Sequence, residues 1–246
     1  MPVFVNDANC AARAELEVGV AVGVEHAVLV TLGTGIGGAL IADGHVVRGA
    51  AGMAGEPGHM LVDPNGPLCV CGLHGCWERY ASGAGLRYLG GQAAEAGELQ
   101  GVMAELEGDI SALRGEHITR AARLGDSEAA AVLDRFAWWV AVGMANCAMS
   151  DPELIIVGGG LVRDWDLYGP RVQRKSSARI CWRPNTGRPY GSSRRWPVRP
   201  PVPSVQRSSR DTSQGSDRSP AIERPTAEVR TAQPSNTASA LSMAWA

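Results

Sequence analysis

The sequence predicts an α/β layered fold followed by a stretch with no folding signal, and three observations carry that expectation. Short β-branched or apolar runs alternate with helical periodicities through the first two thirds of the chain. A segment dense in glycine and proline, Gly49 to Cys76, interrupts them. The composition then breaks: residues 1–169 hold 9 Lys+Arg against 21 Asp+Glu, whereas residues 170–246 hold 14 against 4. The same boundary leaves 10 of the 15 prolines but only 3 of the 31 glycines on its C-terminal side. Such a stretch buries too little surface to offset its ordering entropy. Residues 175–246 are therefore expected to be a disordered Arg/Pro/Ser-rich tail. A basic nucleic-acid-binding arm is the functional alternative, and a shifted reading frame would explain so foreign a composition.

The elements follow in order. Pro2 to Val5 reads as the end of a strand and Ala8 to Val22 as an Ala-rich amphipathic helix, so Asn6 and Asp7 stand at a strand-to-helix junction. His26 to Leu32 and Ala39 to Val47 read as strands joined through the glycines of Gly33 to Gly38. Helices are expected from about Trp77 to Gly90, from Ser111 to Leu124, and from Ser127 onward, where Leu133, Phe136, Val140 and Met144 fall at helical spacing. Leu154 to Val157 reads as a short buried strand running into Gly158-Gly159-Gly160.

Composition excludes several classes. With 246 residues, 45% hydrophobic side chains and a net charge of −2, the chain is neither a small disulfide scaffold nor a strongly basic nucleic-acid binder. No run approaches the roughly eighteen apolar residues of a membrane span and no signal peptide is evident, so a cytoplasmic address without membrane or nucleic-acid partners is expected. Lys175 is the only lysine, which removes any P-loop.

The tightest constellation is His59 with Cys69, Cys71 and Cys76. Three thiolates and one imidazole within eighteen residues match a closed tetrahedral zinc site, whose four protein ligands imply a structural role. The segment around them has almost no apolar core of its own, and a metal would order it. Gly33, Gly35 and Gly38 satisfy G-x-G-x-x-G, but they run into a strand and turn rather than a helix, which excludes a Rossmann site. A phosphate can still be cradled there by the backbone and the Thr34 hydroxyl; a plain hairpin turn is the other reading. Asp7, beside Asn6 and Asn9, is either a carboxylate placed to take a proton from a hydroxyl or a helix N-cap. Glu56 and Glu78 bracket the cysteine segment as sugar-hydroxyl acceptors or as solvated charges. Trp138 and Trp139 read as core or subunit contact.

Taken in order, VNDAN (Val5–Asn9), TLGTGIGG (Thr31–Gly38), GEPGHM (Gly55–Met60), CVCGLHGCWERYASG (Cys69–Gly83) and PELIIVGGG (Pro152–Gly160) resemble the ROK sugar kinases, and within them the actinobacterial glucokinases. The resemblance implies an actin-like, ribonuclease-H-like kinase fold in which ATP and sugar meet between two lobes, residues 1–174 supplying mainly the C-terminal one. It implies ATP-dependent phosphorylation of a hexose, most readily glucose to glucose 6-phosphate, with Mg²⁺ accompanying the ATP and Zn²⁺ in a structural place. Asp7 would be the general base, and Asn6, Glu56, His59 and Glu78 would bind the sugar. Gly33, Thr34 and Gly35 would meet phosphate, and Gly158 and Gly159 adenosine. Homo-oligomers are the family's habit. The chain departs from the pattern in lacking the N-terminal lobe of roughly a hundred residues, so poor turnover is expected. A ROK-type sugar-responsive regulator and a non-catalytic sugar-binding remnant are the alternatives.

Overall fold

The structure, a computed structural model, describes residues 6–175 and 180–182. The strand expected at Pro2 to Val5 and the rest of the tail lie outside the described residues. Helix α1 spans Asp7–Val18. It stops short of Val22 because the chain folds back on itself at Gly19: the Glu15 carboxylate accepts the Val20 N–H at 2.9 Å and the Glu15 carbonyl accepts that of Ala21 at 3.0 Å.

Strand β1 (Ala27–Leu32) pairs antiparallel with β2 (Ile36–Ala42), which pairs antiparallel with the two-residue β3 (His45–Val46). The β2–β3 turn is Asp43-Gly44, both at positive φ (52° and 71°), the backbone a two-residue hairpin of right-handed twist requires. The run from Ala39 to Val47, expected as a strand with a turn at Asp43-Gly44, is two strands about that turn, and β2 begins three residues earlier, at Ile36.

After the cysteine segment, α2 (Glu78–Ala81) and α3 (Gly83–Glu95) replace the single helix expected to start at Trp77. Ser82, in an extended conformation, separates them: its Oγ donates to the Glu78 carbonyl at 2.7 Å and accepts the Gly85 N–H at 3.1 Å. Then come α4 (Gln100–Glu105), α5 (Gly115–Arg123) and the long α6 (Ser127–Cys147), capped by Asp126. Strand β4 (Leu154–Gly158) leads through a 3₁₀ segment to α7 (Trp165–Lys175), and β5 (Ile180–Trp182) follows.

The sheet order is β3-β2-β1-β4-β5, with β4 parallel to β1 and β5 parallel to β4. Strand alternation splits the apolar residues between two faces. Val28, Val30, Leu32, Ile155 and Val157 join the larger core with residues of α3, α5, α6 and α7. Ala27, Leu29, Ala39, Ile41 and Ile156 pack with Ala12 of α1 and Ala21 beyond it. Helices thus cover both faces, and α1 is brought against β2.

Helices α4 and α7 were not legible in the sequence. Helix α7 carries Gly169 and Pro170, both poor helix residues, yet Trp165, Tyr168 and Val172 are buried in the larger core. Tyr168 meets Phe136 edge-on, with centroids 5.1 Å apart, and donates to the Leu161 carbonyl at 2.9 Å. Tertiary burial outweighs local propensity here. No helix among the described residues is long and apolar enough to cross a membrane.

Candidate functional site

The start of α1 settles which residue caps it. Asn6, not Asp7, is the N-cap: its Oδ1 accepts the N–H groups of Ala8 at 2.9 Å and Asn9 at 3.2 Å. Its Nδ2 donates to Glu56 Oε1 at 3.0 Å, joining the helix start to a loop fifty residues on. Asp7 is the first helical residue and is exposed, with Oδ1 accepting the Ala8 N–H at 2.8 Å. Ala8 packs over Gly37 of β2, where an added methyl group would lie 3.6 Å from its Cβ. Asp7 is therefore the sequence neighbour of a residue packed on β2.

The cysteine segment is irregular but tightly wound. Leu61 bridges to Cys76 and Leu68 to His74 in antiparallel fashion, and the Cys69 N–H reaches the Leu73 carbonyl at 2.8 Å. The turn between them needs Gly72 at φ 87°, and Gly75, at φ 67°, leaves no room for a side chain against Asp63. This winding brings His59, Cys69, Cys71 and Cys76 together with all four donor atoms within 4.8 Å of one another. Cys69 Sγ lies 3.6 Å from His59 Nδ1, and the Cys71 and Cys76 sulfurs are 3.5 Å apart.

A tetrahedral ion with metal–sulfur bonds of about 2.3 Å requires donor separations near ~3.8 Å, so the donor set fits a zinc-sized cation. The electrostatics point the same way. A backbone N–H from Leu73 draws the Cys71 thiol below its usual range, whereas burial and the neighbouring sulfurs push Cys76 up to about 12. Crowded sulfurs that resist a second negative charge are the environment a divalent cation relieves. With Nδ1 turned to the sulfurs, His59 has Nε2 on the opposite edge of its ring.

Glu78 ties this knot to the glycine hairpin. Its Oε1 lies 3.9 Å from Cys69 Sγ, and its Oε2 accepts the Ile36 N–H at 2.9 Å. The hairpin itself closes with a bond from Gly33 N–H to the Gly35 carbonyl at 2.9 Å, which leaves Thr34 exposed at the tip. At the neighbouring strand end, Gly159 takes φ 90° and lies against the Leu32 backbone so closely that a Cβ would overlap it. Gly158 pairs with Thr31 in the β1–β4 register. Gly33, Thr34, Gly35, Gly158 and Gly159 thus share one end of two parallel strands, the carboxyl end, where open α/β sheets leave a crevice for ligands.

The candidates gather into a glycine-lined strand end, a His/Cys knot joined to it by Glu78, and the Asn6–Glu56 pair with Asp7 alongside. Sequence reasoning missed the Ile36 amide. It could not have been found there, since a backbone donor leaves no mark in residue type.

The model of the ROK family matches residues 1–187. The chain belongs to the ROK family. Its α/β arrangement is that of ROK sugar-kinase structures: a ROK glucokinase from Streptomyces griseus in complex with glucose and AMPPNP superposes with a TM-score of 0.64 at 38% identity, over 70% of this chain and 56% of that one. Glucokinase from Streptomyces coelicolor is 41% identical over 192 residues, 75% of this chain and 60% of its own length. The xylose repressor of Bacillus subtilis is 30% identical over 182 residues, 73% of this chain and 43% of its own. The chain therefore spans about 60% of the length of the glucokinase it matches.

Proposed function

We propose that this chain carries the sugar site and the second phosphate loop of an ATP-dependent hexose kinase, acting most readily on glucose to yield glucose 6-phosphate. The observation that carries the reading is the union, through Glu78, of a His59/Cys knot with a glycine hairpin, onto whose second strand Ala8, the residue after Asp7, packs. Likeness to the Streptomyces glucokinases, one of them solved with glucose and AMPPNP, supports it.

Each residue has a part. Asn6, Glu56 and Glu78 offer donors and acceptors to ring hydroxyls, and His59 adds Nε2 once its Nδ1 is committed to a metal. Zinc would be held by His59, Cys69, Cys71 and Cys76 and would supply order and ring orientation, since four protein ligands leave no open position. Asp7 takes the proton of the attacking hydroxyl as the oxygen–phosphorus bond forms. Backbone and hydroxyl of Gly33, Thr34 and Gly35 align the transferred phosphoryl group, and Gly158 and Gly159 let adenosine approach the strand end. Phosphoryl transfer asks for alignment and charge stabilisation rather than covalent chemistry. Mg²⁺ would neutralise phosphate charge. Among the described residues the only cluster of three or more His, Cys, Asp or Glu donors is the one around His59, so no residue here is assigned to Mg²⁺.

The xylose repressor relative makes a sugar-responsive regulator the second reading. Asp7 favours the kinase, because a sensor needs sugar contacts but no base. The test is Asp7→Ala in the chain joined to an N-terminal lobe. Turnover in a coupled glucose assay should fall by about 10²–10⁴-fold, with glucose affinity and metal content unchanged; undiminished turnover overturns the assignment. The chain by itself should turn over glucose poorly, and a normal rate would contradict that.

A further inference from the structure

We infer that Glu78 is also a positioning residue for the phosphate loop, a strut by which the metal-ordered segment sets the shape of the glycine hairpin and couples the two substrate sites. The inference rests on the kinase reading for its consequence but on independent geometry for its existence. The three residues of the turn, 33 to 35, and the first residue of β2, Ile36, are all held from one short segment, 78 to 84. The Gly83 N–H donates to the Gly33 carbonyl at 2.8 Å, and the Ala84 N–H to that of Thr34 at 3.3 Å. Gly35 lies against Glu78 so closely that a Cβ would run into its Oε2. The Ile36 N–H ends on that same oxygen at 2.9 Å.

The last bond is the one made by a side chain, so it is the one a substitution can remove. The other end of the strut is the knot: Oε1 is 3.9 Å from Cys69 Sγ, and Glu78 follows Cys76 by two residues. A sugar hydroxyl on Glu78 and a phosphate on the hairpin therefore share one carboxylate. Any change that one ligand makes in the affinity of the other is then reciprocal, by the same factor. A residue that only read the sugar would leave nucleotide binding untouched.

The test uses the whole chain loaded with zinc. Amide hydrogen exchange at Ile36 is followed in the unaltered protein and in Glu78→Ala, Glu78→Gln and Gly35→Ala, together with zinc per chain and calorimetric affinities for glucose and for AMPPNP with Mg²⁺. Glu78→Ala should speed Ile36 exchange about tenfold or more and weaken both ligands, while Glu78→Gln, which keeps a carbonyl acceptor, should restore exchange and nucleotide affinity but not glucose affinity. Gly35→Ala, which displaces the carboxylate and leaves the zinc ligands intact, should reproduce the fast exchange with zinc still near one per chain, and it serves as the readout if Glu78→Ala does not fold. Unchanged Ile36 exchange, or nucleotide affinity indifferent to Glu78→Ala, overturns the strut. If the unaltered chain binds neither glucose nor AMPPNP while the exchange pattern holds, the kinase reading and the coupling fail for this chain and the positioning of the hairpin by Glu78 stands.

Discussion

Gly143→Ala sets two effects of opposite sign against each other at the base of the site. Gly143 lies inside α6, where alanine is favoured over glycine by about 1 kcal/mol. Its missing side chain is where the Trp77 indole sits: an added Cβ would overlap the six-membered ring. Trp77 is fully buried, and its Nε1 donates to the Trp139 carbonyl at 2.7 Å. Overpacking a well-filled core costs about 1–3 kcal/mol. Pulling the indole N–H off its acceptor adds about 1–3 kcal/mol for a buried unsatisfied donor. After the gain in helix propensity, a net loss near ~3 kcal/mol remains, which for a domain of this size lowers Tm by about 6–12 °C. Trp77 lies between Cys76 and Glu78, so glucose affinity should fall as well. Calorimetric melting and glucose titration measure the two effects, and Trp77→Phe, with a smaller ring, should shrink the Gly143→Ala cost in a double-mutant cycle. A Tm at or above that of the unaltered protein would show that propensity prevails and that the Trp77 packing argued here is wrong.

Replacing Cys71 by Ser should lower bound zinc from about one ion per chain to near zero and cost most of the order in residues 59–76, since structural zinc contributes on the order of 10 kcal/mol; atomic absorption with limited proteolysis reads both. Asn6→Ala removes a helix cap worth about 1 kcal/mol and the Glu56 partner together, so Tm should drop slightly and glucose affinity more; an unchanged affinity would take Glu56 out of the site. Burial raises the Cys147 thiol from 9.0 to about 11. A folded pKa above the unfolded one means this contribution is full below about pH 9 and is lost as pH rises through about 11. Urea unfolding of the metal-free chain should therefore show stability declining over that window, with a shallower decline in Cys147→Ala.

Local patterns explain why part of this molecule could be read directly from its residues. Near-continuous β-branched and apolar runs at residues 27–32 and 154–157 dictate strands with two buried faces, because side chains in a strand switch sides at every step. The His59, Cys69, Cys71 and Cys76 spacing dictates a metal-sized cluster because a loop of glycines and prolines has nothing else to close on. Helix α6 announced itself by the helical spacing of Leu133, Phe136, Val140 and Met144 from Ser127 onward. Helix α7 did not, because its Gly169 and Pro170 argue against a helix and only burial of Trp165, Tyr168 and Val172 makes one. The break at Ser82 was hidden for a similar reason, since a serine in an otherwise helical run becomes a cap only when its hydroxyl finds the Gly85 amide.

Residue types alone thus determined the strands, the long helix, the His/Cys set that could hold a metal and the identity of the polar side chains near it, all properties carried by side-chain chemistry at short separation. Tertiary structure decided which of those groups meet. Asn6 finds Glu56 across fifty residues, Glu78 finds the Ile36 amide across forty-two, and β4 lies beside β1 across more than a hundred. Such contacts form where burying both faces of the sheet brings distant segments together, and a backbone N–H, alike at every residue but proline, shows its importance only once the chain has placed a carboxylate in front of it.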